Sequence, residues 1–180
     1  MTAKAREGLD LRFGTRRRVM YFSPENDVQS AVLRAAAAAQ MSLHVMIYGF
    51  TLGALADILI VKHQTGLATG VLSDRTQAAG KTQRAMLQRL AAAGVPVTLT
   101  SSDRAGAIMH DKVLLVDVAA GVEDPRSFAA YGSYNLSASA AKQANHWATD
   151  NDPAIVAAQW ARYQRLEAHG RAKVKQGGII

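Results

Sequence analysis

Short β-type runs alternate with helix-period patterns along most of this chain, and that alternation restricts it to an α/β architecture. Residues 19–22 read as a strand. Ser23 and Pro24 then offer an N-cap and a proline for the first helical position, so a helix is expected over about residues 24–40. Residues 42–50 alternate, with Leu43, Val45 and Ile47 on one side and His44, Met46 and Tyr48 on the other, as a strand requires. Leu52, Leu55, Ala56 and Leu59 outline a helix that Gly66 ends. A strand over 67–72, a polar loop over 73–80 and a helix over 81–93 follow, the helix turning Met86, Leu87 and Leu90 inward before Gly94. Residues 95–100, 109–118 and 127–134 read as three more strands. Asp152 and Pro153 open a last helix with Ile155, Val156, Trp160, Tyr163 and Leu166 on its apolar face.

Of the 180 residues 49% are hydrophobic, enough for one compact domain with a core. Only 6% are aromatic and alanine is abundant, so that core should be aliphatic, with closely packed helices. The lack of cysteine excludes disulfides and thiolate metal sites. No apolar run approaches the roughly 20 residues that cross a bilayer, so no stable membrane insertion is expected. Thr15-Arg16-Arg17-Arg18 superficially matches an export signal, yet only residues 19–22 separate it from Ser23-Pro24, too few for a signal's apolar region. It reads as a basic lead-in to a strand. The chain as given is expected to be cytoplasmic, or periplasmic or secreted if a leader has been removed.

The net charge of +7 is concentrated at the ends. Residues 1–18 carry six basic residues against Glu7 and Asp10, and residues 162–175 carry five against Glu167, leaving the body nearly neutral. Such ends suit a polyanion, because each phosphate neutralised releases counterions.

The chemistry lies in Met109-His110-Asp111-Lys112-Val113. In a strand, residues two apart share a face, so His110 and Lys112 point the same way. A neutral imidazole can attack phosphorus, and an ammonium beside it can hold the charge on the phosphoryl oxygens. Asp117 faces away from Lys112 and reads as a supporting or structural carboxylate. Ser133 and Asn135 share a face of the strand expected to lie alongside and could donate to phosphate, with Gly132 letting substrate approach the backbone. His44, His63 and His169 suit structural positions, the latter two at helix C-termini.

His110-x-Lys112-x4-Asp117, followed by Gly132-Ser133-x-Asn135-x-Ser137, resembles the paired motifs of the phospholipase D superfamily. Tyr21 to Glu25, Met46 to Thr51 and the Trp160 helix extend the likeness to the small bacterial Nuc-type endonucleases, over about residues 19–168. The resemblance implies a single domain with a central mixed β-sheet flanked by helices on both faces. On this view residues 1–18 are a basic N-terminal segment, 19–169 the catalytic domain and 170–180 a basic tail. It also implies His110 as nucleophile, Lys112, Ser133 and Asn135 on the substrate phosphate, Asp117 as the motif's carboxylate, and no metal or other cofactor. The expected partners are nucleic acid, DNA or RNA, and a second copy of the chain. One His-x-Lys pair leaves no second group to protonate the leaving oxygen, and a two-fold homodimer would supply it. The chain departs from the pattern at His146, where Nuc-like members carry a glutamate that orients the nucleophile. His146 as a neutral acceptor or Asp150 could take that part, or activity could be reduced. A phospholipase or phosphatidyl transferase, and a nucleic-acid-binding protein with weakened catalysis, are the alternative readings.

Overall fold

The computed structural model describes residues 8–175, apart from the side chains of Phe13, Val174 and Lys175. Lys4 and Arg6 of the basic N-terminal segment and the end of the tail, residues 176–180, lie outside the described residues. Eight strands form one sheet in the order β1 (Leu9–Phe13), β2 (Arg16–Ser23), β8 (Asn145–Asp150), β7 (Phe128–Gly132), β6 (Lys112–Val116), β3 (Ser42–Ile47), β4 (Ala68–Asp74), β5 (Val97–Thr100). Pairing is parallel along β3, β4 and β5 and antiparallel elsewhere. The sheet is therefore mixed. Helices α1 (Val28–Ala37), α2 (Gly53–Gln64) and α4 (Lys81–Ala92) cover one face, and α5 (Pro153–Lys175) crosses the other; α3 (Arg75–Ala78) is a single turn after β4.

The expected alternation in β3 sorts its side chains between two cores. Leu43, Val45 and Ile47 join the α1 and α2 side with Leu114, Val116 and Trp147, whereas Met46 joins Val113, Leu115, Tyr163 and Leu166 beneath α5. His44 is also under α5, its ring 4.9 Å from Trp160 and 5.0 Å from Tyr163, where burial lowers its pKa to about 4. Its register partner Gly70 has no side chain because a Cβ there would lie 2.3 Å from the Tyr163 hydroxyl.

Several expected boundaries move for local reasons. Ser23-Pro24, a cis bond, does not start α1. Asn26 first closes a turn on the Phe22 backbone, and Asp27 is the cap, accepting from the Ser30 N–H at 3.0 Å. The polar loop expected over 73–80 holds the end of β4 and the turn α3, because the buried Asp74 carboxylate accepts from the Thr76 and Gln77 N–H groups. Residues 9–13, within the basic N-terminal segment, pair with β2 as β1. Gly170 does not stop α5: the helix runs on to Lys175, and His169 is inside it rather than at its end. A Cβ at Gly170 would meet Thr98 Cγ2 at 2.6 Å, so this glycine lets α5 approach β5.

Asp117 ends β6 and turns the chain, with φ 56° in the left-handed region that aspartate tolerates. Its buried carboxylate accepts from the backbone N–H groups of Gln40 (2.9 Å), Met41 (2.7 Å) and Ser42 (3.0 Å). It joins the end of β6 to the start of β3. Removing it leaves three backbone donors without their acceptor, the one on Ser42 buried, so Asp117→Ala should lower unfolding free energy by roughly 2–3 kcal/mol. Chemical denaturation of Asp117→Ala beside wild type checks this, and a change under 1 kcal/mol contradicts the anchoring role.

Candidate active site

β6 starts at Lys112, so His110 and Asp111 lie on the approach to the strand rather than in it. Both neighbours of His110 are tied down. The Met109 N–H donates to Asp74 Oδ2 at 2.9 Å, and the Asp111 carbonyl accepts from the Tyr48 N–H at 3.0 Å. Arg162 on α5 grips both oxygens of the Asp111 carboxylate at 2.9 Å each. His110 is thus an exposed side chain on a fixed backbone.

Lys112 is 4% exposed, and its Nζ donates to the His110 carbonyl at 2.9 Å. The same Nζ lies 3.1 Å from His110 Nδ1 and 3.3 Å from Nε2. A neutral imidazole has one acceptor nitrogen. Lys112 therefore gives one N–H to the carbonyl and one to the ring, and keeps a third for a ligand. Tyr48 backs the pair: its ring is 4.3 Å from that of His110, and Lys112 Nζ is 5.2 Å from its centroid. Gln77 Nε2 donates to the Tyr48 hydroxyl at 2.7 Å and holds that ring in place.

The electrostatics favour neutral imidazole. Desolvation and then the Lys112 charge push the His110 pKa below its usual value of 6.5, against weaker pulls from Asp111 and Asp74. Burial also lowers the pKa of Lys112. Among the described residues no group of three or more histidine or carboxylate side chains is placed to hold a metal ion.

His110 and Lys112 line a cleft of about 360 Å³ together with Tyr131, Ser133, His146 and Gln159. Ser133 enters it next to β8: its N–H donates to the His146 carbonyl at 3.1 Å and its Oγ accepts from the His146 N–H at 3.1 Å. Asn135 stands apart from the cleft lining. Its Oδ1 accepts from the Gly49 N–H at 3.3 Å, beside Tyr48. Gly132 also lines the cleft, and its bare Cα lets β8 approach, since a Cβ there would lie 2.2 Å from the His146 carbonyl oxygen. Asp117 is at the far end of β6 and has no part in the cleft. His146 is exposed at the cleft edge, and among the described residues its ring forms no hydrogen bond.

Of the alternatives for an orienting carboxylate, Asp150 is committed elsewhere. Its Oδ2 accepts from Arg18 Nε at 2.7 Å and from the Tyr131 hydroxyl at 3.2 Å, and its Oδ1 from the Asp152 N–H. The basic ends are partnered too: Arg16 with Asp152, Arg17 with Asp10, Arg162 with Asp111 and Arg165 with Asp103. Tyr48, Gln159 and the Asp111–Arg162 clasp were not singled out by sequence. Tyr48 had a signal, its place at the end of a strand pattern. Arg162 counted only as charge.

The family model described as cardiolipin synthase, PLD-like domain, matches residues 32–169, and the chain belongs to this phospholipase D-like family. Its fold is similar to that of Nuc from Salmonella typhimurium, a phospholipase D family member, with TM-score 0.75 and 24% identity over 86% of this chain and 96% of that one. NucT from Helicobacter pylori gives 0.71 and 17% over 86% and 97%. Polyphosphate kinase from Porphyromonas gingivalis gives 0.66 and 15% over 84% of this chain and 26% of that one. No curated protein matches the sequence.

The His110 resonances should titrate with a midpoint below 6.5, and Lys112→Met should raise that midpoint by removing a neighbouring positive charge. An NMR titration of the histidine ring signals measures both. A wild-type midpoint at or above 6.5, or no change in the variant, contradicts the arrangement.

Proposed function

We propose that the chain is a metal-independent phosphodiesterase, a nonspecific endonuclease acting on DNA or RNA through a phosphohistidine in a site shared by two copies. The observation that carries this reading is the buried Lys112 ammonium held against the neutral, backbone-fixed imidazole of His110. A phosphodiester entering the cleft offers anionic oxygens to Lys112, which releases its hold on the ring nitrogen as it turns to the phosphate. The freed lone pair attacks phosphorus in line with the departing oxygen. The P–N bond forms as the P–O bond breaks, and His110 of the partner subunit, protonated, gives its proton to the leaving oxygen. Water then attacks phosphorus, the P–N bond breaks, and the same partner imidazole takes the water's proton. The Ser133 hydroxyl, which donates to Asn145 Oδ1 at 3.2 Å, turns its proton to a phosphoryl oxygen, while Asn135 supports the Gly49 backbone behind the pair.

His146 flanks this cleft as an imidazole and replaces no permanent anion. The description of the matching family favours one second reading, phosphatidyl transfer at the same site. No described helix is long and apolar enough to cross a membrane.

Purified protein in excess EDTA should cleave plasmid and single-stranded DNA, and His110→Ala should lose at least about 10³-fold in rate, the nucleophile being indispensable. Cleavage retained by the variant refutes the site, binding without cleavage favours a scaffold, and turnover of phosphatidyl vesicles alone favours the lipid reading. Two copies of His110 that must hold opposite protonation states should also give a bell-shaped pH dependence of kcat/KM. Because the His110 pKa is lowered, the bell should centre below pH 6.5. Wild-type chains mixed with excess His110→Ala chains should become nearly inactive; full activity per wild-type chain contradicts the shared site.

A further inference from the structure

A second, larger cleft of about 610 Å³ adjoins the first, and Ser133 and His146 form the wall between them. The sheet explains its make-up. Phe22 on β2 is the register partner of His146 on β8, and His146 is hydrogen-bonded through its backbone to Ser133 beyond the end of β7. Side chains opposite one another across antiparallel strands lie on one face about 5 Å apart. Phe22, His146 and Ser133 therefore make a row that leads from the phosphate cleft into the second one. Two interstrand steps separate its ends, roughly 10 Å, which the sugar and base of one nucleotide can span.

The lining of the second cleft selects its occupant. Phe22 is 46% exposed, unusual for a phenylalanine, and Met20 is on the same face two residues before it. Glu25 and Asn26 line the polar side, and among the described residues no lysine or arginine does. A carboxylate without a cation repels a second phosphate and accepts from an amine. A flat ring beside an acceptor carboxylate suits a nucleobase that bears an exocyclic amino group.

We propose that this cleft is a nucleobase subsite, in which the base flanking the scissile phosphate stacks on Phe22 and presents its amino group to Glu25 while the sugar passes over His146. The inference rests on the phosphodiesterase reading and sharpens its substrate. A base seated there has left its stack and its partner, so the strand bound is single.

The test compares kcat/KM of wild type, Phe22→Ala and Phe22→Trp on a short single-stranded DNA and on an abasic strand with the same phosphodiester backbone. Phe22→Ala should lose on the order of tenfold on the base-bearing strand and stay within about twofold on the abasic one, while Phe22→Trp should keep the discrimination. Glu25→Gln should narrow the preference for oligocytidine over oligothymidine. Equal effects of Phe22→Ala on both strands, or none on either, overturn the subsite while leaving the nuclease standing. Loss of the dimer in size-exclusion chromatography of Phe22→Ala would make the cleft a subunit interface and overturns it as well. If wild type cleaves neither strand, the phosphodiesterase reading falls and the subsite with it.

Discussion

A lysine ammonium at the head of a strand buried on both faces has to be satisfied by its surroundings, and much of this structure follows from how that is done. β6 lies between β3 and β7, and all five of its residues are buried. An unpaired charge there costs several kcal/mol. Lys112 meets that cost by donating to the His110 carbonyl and ring and by facing the Tyr48 π-cloud. None of these partners is an anion and Asp111 offsets the charge only from a distance, so much of the positive charge is left available to a ligand. The carboxylates that could have neutralised it are held away: Asp111 by Arg162 and Asp74 by the backbone of Thr76, Gln77 and Met109. The same two residues fix the chain on either side of His110. Stability and reactivity thus share one set of bonds.

The central elements were legible because each has a strong local pattern. The alternation in β3, the apolar run of β6 and the glycine stop of α4 were recognised within a few residues, and the two motifs pointed to the cleft that His110, Lys112 and Ser133 line. β8 was missed because Asn145-His146-Trp147-Ala148-Thr149-Asp150 has too many polar residues for a strand judged alone. It is a strand because β2 and β7 flank it on both sides, and because Trp147 fills one core while Asp150 is met by Arg18 and Tyr131. Those partners are distant in sequence, and no local pattern reports them. Two glycines carry a role that no local pattern reports: the bare Cα atoms of Gly132 and Gly170 each admit a neighbouring strand, and α5 runs on past the helix end expected at His169.

The arginines show how charge counted along a chain differs from charge on a surface. Arg16, Arg17 and Arg18 look like a polyanion-binding arm, yet each faces an aspartate. Two of these pairs are exposed, and exposed pairs contribute about 0–1 kcal/mol. A phosphate can displace such an aspartate at little cost. Arg18 differs, because its partner Asp150 is buried and also holds Tyr131 and the start of α5. Only part of the basic N-terminal strand is therefore exchangeable for a polyanion, and the salt dependence of binding should be shallower than the formal charge suggests.

His110 poses the last question of balance. Displacing an alkoxide from phosphorus needs a proton donor on the side opposite the nucleophile, and a nucleophile must itself be unprotonated. Within one protomer the nearby carboxylates accept from arginine or from backbone N–H groups, and spending them on proton transfer would break the structure around His110. Lys112 cannot serve either in the proposed mechanism, which keeps its charge for the phosphate. His146 is tied through its backbone to Ser133 and lines both clefts. An exposed imidazole with a lowered pKa on a rigid backbone is suited to meet its own copy. In the proposed dimer desolvation and the Lys112 charge disfavour protonation of both copies of His110 alike, and a single proton shared by the pair leaves one neutral and the other protonated.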